Sequence, residues 1–398
     1  MRDKSDNPVA FRDPASVVIG AIAFHMIGGL VVQMSPFVVA GLMAGLSLSE
    51  RDAGIVASVE LLALAATAIA IAPFLSRLAT RRTGLLALLV TLIAQAASIS
   101  DTTWTALVLL RGLAGIGEGV LYAISLSIVA SRCGNPEKVF GYFQLVCAIA
   151  SVVLFSVGGE VTAAFAHRGI FALLAVVMLV FAPLLFLVSN APKAEDNDVS
   201  SDGGSPAFLG FLLFIAIVLY VTVSAGLFAF SGPLGQRVGL STSAVGYILT
   251  ISALVGLIGA GAATVLNVQW GRTLPISAFC FGYGVVVLVL CLWRDPLAYG
   301  VAVVASAILY YFSLPYLFGL AATLDRSGRW AAAAGSAHLL GFAIGPVFAG
   351  TVIADAGYTR LAAFSVAMTM TAWGLAMVVL SGGFVRKHRT DRYPDATT

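Results

Sequence analysis

Charge is what this chain has least of. Only 10% of its 398 residues are Asp, Glu, Lys or Arg, against 60% hydrophobic residues and a mean hydropathy of +0.99. A soluble domain carries about 25% charged residues, so the composition excludes an ordinary soluble fold and a disordered chain alike. Cysteine is equally sparse. Cys133, Cys147, Cys280 and Cys291 show no metal or redox spacing, which excludes a disulfide scaffold and leaves each thiol as a small apolar residue. No P-loop ending in Gly-Lys followed by Ser or Thr is present, so ATP is not the expected energy source and no cofactor is expected. No His/Glu pair has metal-ligand spacing, and no polar stretch is long enough to fold as a catalytic domain, so an enzyme is not expected. The net charge of +3 belongs to loops facing anionic lipid and does not argue for nucleic acid.

What the chain does have is apolar length. Twelve windows, approximately 16–36, 53–75, 83–100, 104–127, 139–162, 169–189, 207–230, 243–266, 273–292, 297–323, 330–354 and 359–381, are separated by short loops. A helix of about 20 residues crosses a hydrocarbon core about 30 Å thick. The fold class expected is an all-α membrane protein of twelve transmembrane helices. An even number places both termini on one face. Sixteen of the 22 Lys and Arg then fall on that face; Arg51, Arg168, Arg237, Arg294 and Arg360 fall opposite, and Arg111 lies within a span. Positive residues stay inside, so both termini are expected in the cytoplasm of a bacterial inner (plasma) membrane. The first apolar run is too long for a signal-peptide core and is expected to be a retained span.

The polar stretch Ser189–Pro206, with the run KAEDNDVSSDGGSP, divides six spans from six. It reads as a flexible cytoplasmic linker, giving an N-terminal bundle (1–190), a linker (191–206) and a C-terminal bundle with a short cytoplasmic tail (207–398). The halves echo one another. SVGGEV precedes Arg168 as VFAGTV precedes Arg360, and ATRRTGLLAL after span two matches QWGRTLPISA after span eight. Such duplication marks transporter folds built from paired bundles. A monomer is expected.

Three stretches carry a family likeness: SRLATRRTG (Ser76–Gly84), RGLAGIGEG (Arg111–Gly119), and GFAIGPVFAG (Gly341–Gly350) after the loop DRSGRW. Together they resemble the major facilitator superfamily over essentially the whole chain, closest in flavour to bacterial sugar-efflux and drug-efflux permeases. The resemblance implies two pseudo-symmetric six-helix bundles, a central cavity lined by span four, and a conformational latch at Arg77, Arg81 and Arg82. The loop departs from the family pattern, which has Asp where Thr80 stands and Gly where Arg81 or Thr83 stands. Span five reads CAIASVVLFSVGGE, without the Gly-Pro pair of typical drug/proton antiporters. Span four also resembles that of spinster-type lipid transporters, which carry a Glu after the Gly pair; those relatives usually have an acid in span one, where this chain has His25.

An ionised group at the bilayer centre costs at least ~2.5–3.5 kcal/mol, so intramembrane charges are few and meaningful. Here they are Glu60, Arg111 and Glu118, with Glu160 near an outer end and His25 and His338 as titratable additions. Arg111, Gly115, Glu118, Tyr122 and Ser125 form one polar stripe of span four, while Gly112, Gly115, Gly117 and Gly119 allow a close neighbour. Arg111 and Glu118 stand about 10 Å apart along the axis, a spacing that suits a shared aqueous cavity rather than a tight pair. Glu60 lies at the same depth as Arg111, and a Glu60–Arg111 pair is expected, either stapling helices or neutralising Arg111 until substrate or a proton intervenes. A carboxyl in a partly dry cavity can be neutral or charged near physiological pH, which makes Glu118 the first proton-carrier candidate, with Glu60 and His25 beside it.

The substrate-binding candidates are Arg111, Gln33, on the stripe His25–Gly29–Gln33, Tyr122, Tyr220, Tyr310, Tyr311, Tyr316 and His338. Pro315 is expected to kink span ten, freeing carbonyls that only a cavity or neighbour can satisfy. The second bundle is nearly free of intramembrane charge and aromatic in character, which suits an amphipathic organic molecule better than a free sugar. The function expected is therefore a proton-coupled secondary transporter working by alternating access and exporting small amphipathic compounds. Proton-driven uptake of an organic anion clamped by Arg111, and a non-transporting assembly factor or sensor of the same fold, remain the alternatives.

Overall fold

The computed structural model describes residues 15–75, 77–100, 103–133, 136–190, 207–266, 271–324 and 329–392, and every regular element among them is helical. In chain order these are α1 (Ala15–Leu46), α2 (Glu50–Ile71), α3 (Thr80–Ala97), α4 (Trp104–Arg132), α5 (Pro136–Phe181), α6 (Ala207–Ala229), α7 (Ser231–Arg237), α8 (Thr242–Leu266), α9 (Thr273–Leu292), α10 (Pro296–Ala322) and α11 (Arg329–Arg392), with 3-10 turns at Ala72–Phe74 and Ala182–Leu187. The linker expected at 191–206, most of the loop DRSGRW and the terminal basic residues Arg2, Lys4 and Arg12 lie outside the described residues.

Nine helices among the described residues are long and apolar enough to cross a membrane. Two of them are too long to cross once. α5 has 46 residues and α11 has 64, roughly 70 and 95 Å of helix at 1.5 Å per residue. Each is broken at one residue: Ala166 (φ 50°, ψ −133°) in α5 and Gly357 (φ 76°, ψ 177°) in α11. The Gly357 geometry is open essentially to glycine alone. At the first break the chain doubles back, since a β-carbon on Gly169 would stand 2.7 Å from the Val161 carbonyl oxygen. These breaks precede Arg168 and Arg360, the points where the two sequence halves correspond. Taking each broken helix as two arms gives eleven such segments among the described residues; the 18-residue α3 stands at the third expected window but is not one of the helices that meet that length and apolarity.

Helix starts follow ordinary capping chemistry. The hydroxyls of Ser49 and Thr103 accept from the amides of Asp52 (3.1 Å) and Ala106 (3.3 Å). Asp295 accepts from Ala298 N at 2.7 Å ahead of Pro296, a proline placed where a missing amide costs nothing. The start of α3 lacks its own cap. Instead Asn190, far along the chain, accepts from the amides of Arg81 (3.0 Å) and Arg82 (3.3 Å). Pro315 leaves α10 continuous.

Helices α1–α5 pack chiefly on one another, as do α6–α11, and the two groups meet along α2 against α11 and α5 against α8. The cross-group contacts lie between mid-height and the end away from the termini. Gly54 of α2 stands where a β-carbon would come 2.5 Å from the Pro346 carbonyl oxygen, and Gly159 faces Gly246 in the same backbone-to-backbone fashion. Pro346 lacks an amide and disturbs the hydrogen-bond ladder of α11, and the nearby Val347 amide donates across the interface to Ser58 Oγ at 2.8 Å. Ser156 and Thr250 hydroxyls meet at 2.8 Å, Tyr247 donates to Glu160 at 2.8 Å, and Arg51 pairs with Asp355. Nearer the terminal end the picture changes. Gly29 of α1 and Gly335 of α11 have open space where a β-carbon would stand.

A β-carbon on Gly246 would lie 2.7 Å from the Phe155 carbonyl oxygen, and overpacking of this kind costs about 1–3 kcal/mol. Gly246→Val is therefore expected to lower the thermal unfolding midpoint in detergent. Gly261→Ala, in the same helix but with open space around it, is the control and should not lower it. Equal losses in both would show that the α5–α8 crossing is not tight.

Candidate functional site

The intramembrane charges gather in one cluster inside the first helix group. The glycines of α4 make it possible. Gly115 and Gly119 lie against the Glu60 and Leu64 carbonyls of α2, while Gly117 lies against Thr91 and the Ala87 carbonyl of α3. With both neighbours drawn in, side chains of α2 and α3 reach around Arg111. Its Nη1 donates to Glu60 Oε1 at 2.8 Å and to Gln95 Oε1 at 2.9 Å. Its Nη2 donates to the Ala94 carbonyl at 3.0 Å and to Ser98 Oγ at 2.6 Å. The Phe171 ring lies beneath the guanidinium, 4.4 Å from its carbon, a further favourable contact for a cation. The Gln95 amide then donates to Glu118 Oε1 at 3.4 Å. One glutamine thus spans the roughly 10 Å rise between Arg111 and Glu118, and links two acids through one base.

The pair anticipated from matching depths, Glu60 with Arg111, is present. The shared aqueous cavity is not. Glu60, Arg111 and Glu118 are each 0% exposed, sealed by α2, α3 and the second arm of α5. Arg111 therefore does not face a substrate in this conformation, and its placement among substrate-binding residues is corrected. Helical spacing put these side chains on one face of α4, but that face meets packed helices. Four of the five Arg111 donors are satisfied; its Nε, with Glu60 Oε2 and Glu118 Oε2, has no protein partner among the described residues.

A different set of residues borders the space between the two groups at mid-height. His25 of α1 is half-buried, its ring stacked on Phe143 (4.4 Å) and tilted against Tyr122 (5.0 Å). Ser125 donates its one proton to the Tyr122 carbonyl at 2.6 Å. Its 3.2 Å contact with His25 is therefore donated by Nδ1–H, and the neutral ring keeps Nε2 as an acceptor. Gln33, two turns along α1, accepts from Ser151 Oγ at 3.0 Å. The Cys147 thiol approaches Met26 Sδ at 3.5 Å. From the second group, Tyr310 OH meets His338 Nε2 at 2.6 Å, and His338 tilts on Phe342 with ring centres 5.0 Å apart. Tyr311 crosses Tyr310 edge-on and is 38% exposed. Tyr310 comes within electrostatic reach of Tyr122, and Tyr311 of Cys147, so the two sets face each other.

Two further substrate candidates move away from this space. Tyr220 is 1% exposed in the core of the second group, edge-on to Phe279 at 4.4 Å and accepting from Ser313 Oγ at 3.4 Å. Tyr316 is 5% exposed and packs on Phe312. Their stripes point into helix packing, for which aromatic residues serve equally well. Arg77, Arg81 and Arg82 make no ion pair among the described residues; only the α3 start they flank is tied down, by Asn190. The residues missed from sequence are Gln95, Ser98 and Phe171 in the cluster, and Phe143, Cys147, Ser151 and Phe342 in the mid-height set. A signal existed for the first two: Thr91, Gln95 and Ser98 form a polar stripe on an otherwise apolar helix.

A family model described as Major Facilitator Superfamily matches residues 18–324. No curated protein matches in sequence. Among solved structures, the chain is similar to a bacterial homologue of the human lysosomal transporter Spinster in an inward-facing, unoccupied conformation: 15% identity, 91% of this chain and 94% of that chain, TM-score 0.65. The same homologue in an inward-facing, occupied conformation gives 14% identity, 92% and 96% coverage, and TM-score 0.68. A D-xylose-proton symporter gives 14% identity, 90% and 97% coverage, and TM-score 0.69. At such identities these likenesses speak for the fold alone.

Removing one partner of a buried ion pair strands the other charge, at about 3–5 kcal/mol. Glu60→Gln and Arg111→Met are each expected to destabilise the protein strongly. The double variant should lose less than the sum of the two, with a coupling of about 1 kcal/mol or more in a thermal or denaturant cycle. Additive losses would show that the two side chains do not interact.

Proposed function

The chain belongs to the Major Facilitator Superfamily, and on that footing we propose that it exports small amphipathic organic compounds in exchange for protons. At the coarser level it is a membrane protein and a secondary transporter, and not an enzyme. The observation that carries the finer reading is the separation of charge from cleft. The acids and the arginine are sealed inside one helix group, while the half-buried surface between the groups presents imidazole, amide, phenol and aromatic faces. A cleft so lined suits an amphipathic molecule.

We read 191–206 as a cytoplasmic linker between two bundles, with both termini cytoplasmic in a bacterial inner membrane, the orientation the distribution of Lys and Arg supports. The far-end contacts then close the outer side, and the open space at Gly29 and Gly335 faces inward. Two of the structural neighbours are inward-facing, which supports that assignment. Rocking of the bundles about the mid-height site would alternate access, and Arg77, Arg81 and Arg82 would engage as a latch in the opposite state.

Coupling is assigned to Glu118, Glu60 and His25. His25 borders the cleft and shares Ser125 with the stripe that carries Glu118, so it stands between the cleft and the sealed acids. Protonating Nε2 turns an acceptor into a donor. A proton and a cargo donor thus compete for one lone pair, the relation that exchange requires. Another structural neighbour is a D-xylose-proton symporter, so proton coupling occurs in a protein of this fold. Uptake of an organic anion loses its support, because the guanidinium meant to clamp a carboxylate is sealed from the cleft with four of its five donors already engaged.

Proteoliposomes holding a trapped pH dye test the coupling. Adding an amphipathic organic compound to the wild type is expected to move protons. Glu118→Gln should still bind the compound, by thermal shift, but lose the coupled proton flux, while His25→Phe should lose the flux and bind the compound more weakly. Equal flux in wild type and Glu118→Gln would remove the coupling role, and no flux with any compound in the wild type would favour a sensor or assembly factor.

A further inference from the structure

The cleft between the bundles also restricts the charge its cargo can carry, an inference that rests on the cargo site proposed above. Among the described residues, the side chains bordering it are His25, Gln33, Tyr122, Tyr310, Tyr311 and His338, and none of these bears a fixed charge. Glu60, Arg111 and Glu118 are sealed at 0% exposure. Arg51 with Asp355, and Glu160 with Tyr247, lie at the far end. An ionic cargo would therefore shed its water without meeting a counter-ion, and an unpaired charge away from water is the costliest group to bury.

The hydrogen-bonding groups are complementary in kind. His25 donates through Nδ1 to Ser125, which leaves Nε2 as an acceptor on the first bundle. On the second bundle, the 2.6 Å contact between Tyr310 OH and His338 Nε2 uses one proton. If the phenol donates, His338 keeps Nδ1–H; if the imidazole donates, Tyr310 keeps its O–H. Either arrangement leaves a donor over. The walls around these groups are rings: Tyr122 beside His25, with the buried Phe143 stacked behind that imidazole, and Tyr311 and Phe342 beside Tyr310 and His338. Flat aromatic surfaces favour offset or edge contacts with another ring.

We propose that the cargo is an uncharged, planar aromatic molecule carrying hydrogen-bond donor and acceptor groups, its donor directed to His25 Nε2 and its acceptor to the Tyr310–His338 pair. Carboxylates and amines on the same ring system are rejected because, with both imidazoles neutral, the described residues of the cleft offer neither a cation nor an anion to meet them.

Three naphthalenes of matched shape test this: 2,6-dihydroxynaphthalene, 6-hydroxy-2-naphthoate and the 6-hydroxy-2-naphthylmethyl ammonium ion. The full chain carrying Cys133→Ser is purified in detergent, and two readouts are taken: thermal stabilisation, and protection of Cys147 from maleimide. Cys280 and Cys291 are buried in the second bundle. The neutral diol is expected to stabilise the protein and protect Cys147, with both ions at least about tenfold weaker, a gap of about 1.4 kcal/mol. His338→Phe should weaken the diol by about tenfold, the order expected for an unsatisfied polar group; should it fold poorly, His338→Gln, which keeps a hydrogen-bonding group, replaces it and should bind more tightly than Phe. An ion that protects Cys147 as well as the diol overturns the charge rule and leaves the site standing. Stabilisation without protection of Cys147, unaffected by either His338 variant, overturns the site itself. Failure of all three compounds to protect Cys147 overturns the aromatic proposal.

Discussion

An arginine in a bilayer must bring its own solvent, and much of the first bundle is organised to supply it. Arg111 receives a carboxylate, an amide oxygen, a hydroxyl, a carbonyl and a ring face from three different helices. Replacing water this completely is what makes the charge tolerable at such depth. The requirement propagates outward. Glu60 and Gln95 can reach Arg111 only because α4 presents glycines to α2 and α3, so the helix spacing and the polar network fix each other. Gln95 carries the constraint one step further, to Glu118, so a change in the protonation of that acid would be felt by the hydrogen bond that positions the guanidinium's neighbour.

The second bundle is built on a different principle. Its mid-height interior is aromatic, with Tyr220, Phe279, Tyr283 and Tyr310 meeting in edge-on and stacked contacts. Such an interior is held by shape and dispersion, and holds no ion that must stay paired. The asymmetry between bundles gives them separate tasks in the transport cycle we propose: one holds the buried acids and their base, and the other meets the cargo without any such cluster behind it.

Much of this was legible in the sequence. Apolar length gave the helical membrane fold, and equal depth in neighbouring spans gave the Glu60–Arg111 pair, because two opposite charges in hydrocarbon must find each other. The cavity around Arg111 and Glu118 was not legible. A stripe such as Arg111–Glu118–Tyr122–Ser125 fixes which side of a helix is polar, yet says nothing about whether that side meets water or another helix. The same ambiguity displaced Tyr220 and Tyr316 into packing while leaving Tyr310 and Tyr311 at the cleft. Gln95 was passed over because a single amide in an apolar run looks incidental until its neighbours Thr91 and Ser98 are seen on the same face. Cys147 sits at the cleft, and the buried Phe143 backs His25, through the approach of α5 to α1, a tertiary fact with no local sequence mark.

The bare crossings at the far end have a mechanical consequence. Where Gly159 meets Gly246, and Gly54 meets the Pro346 carbonyl, main chain slides against main chain with no side chain between. Surfaces of that sort have no rotamers to reset when they separate and none to re-freeze when they rejoin. They behave as dry bearings: close-fitting, yet cheap to disengage, so the entropic toll of each stroke falls on the few polar links, such as Ser58 with Val347, that must be unmade and made again.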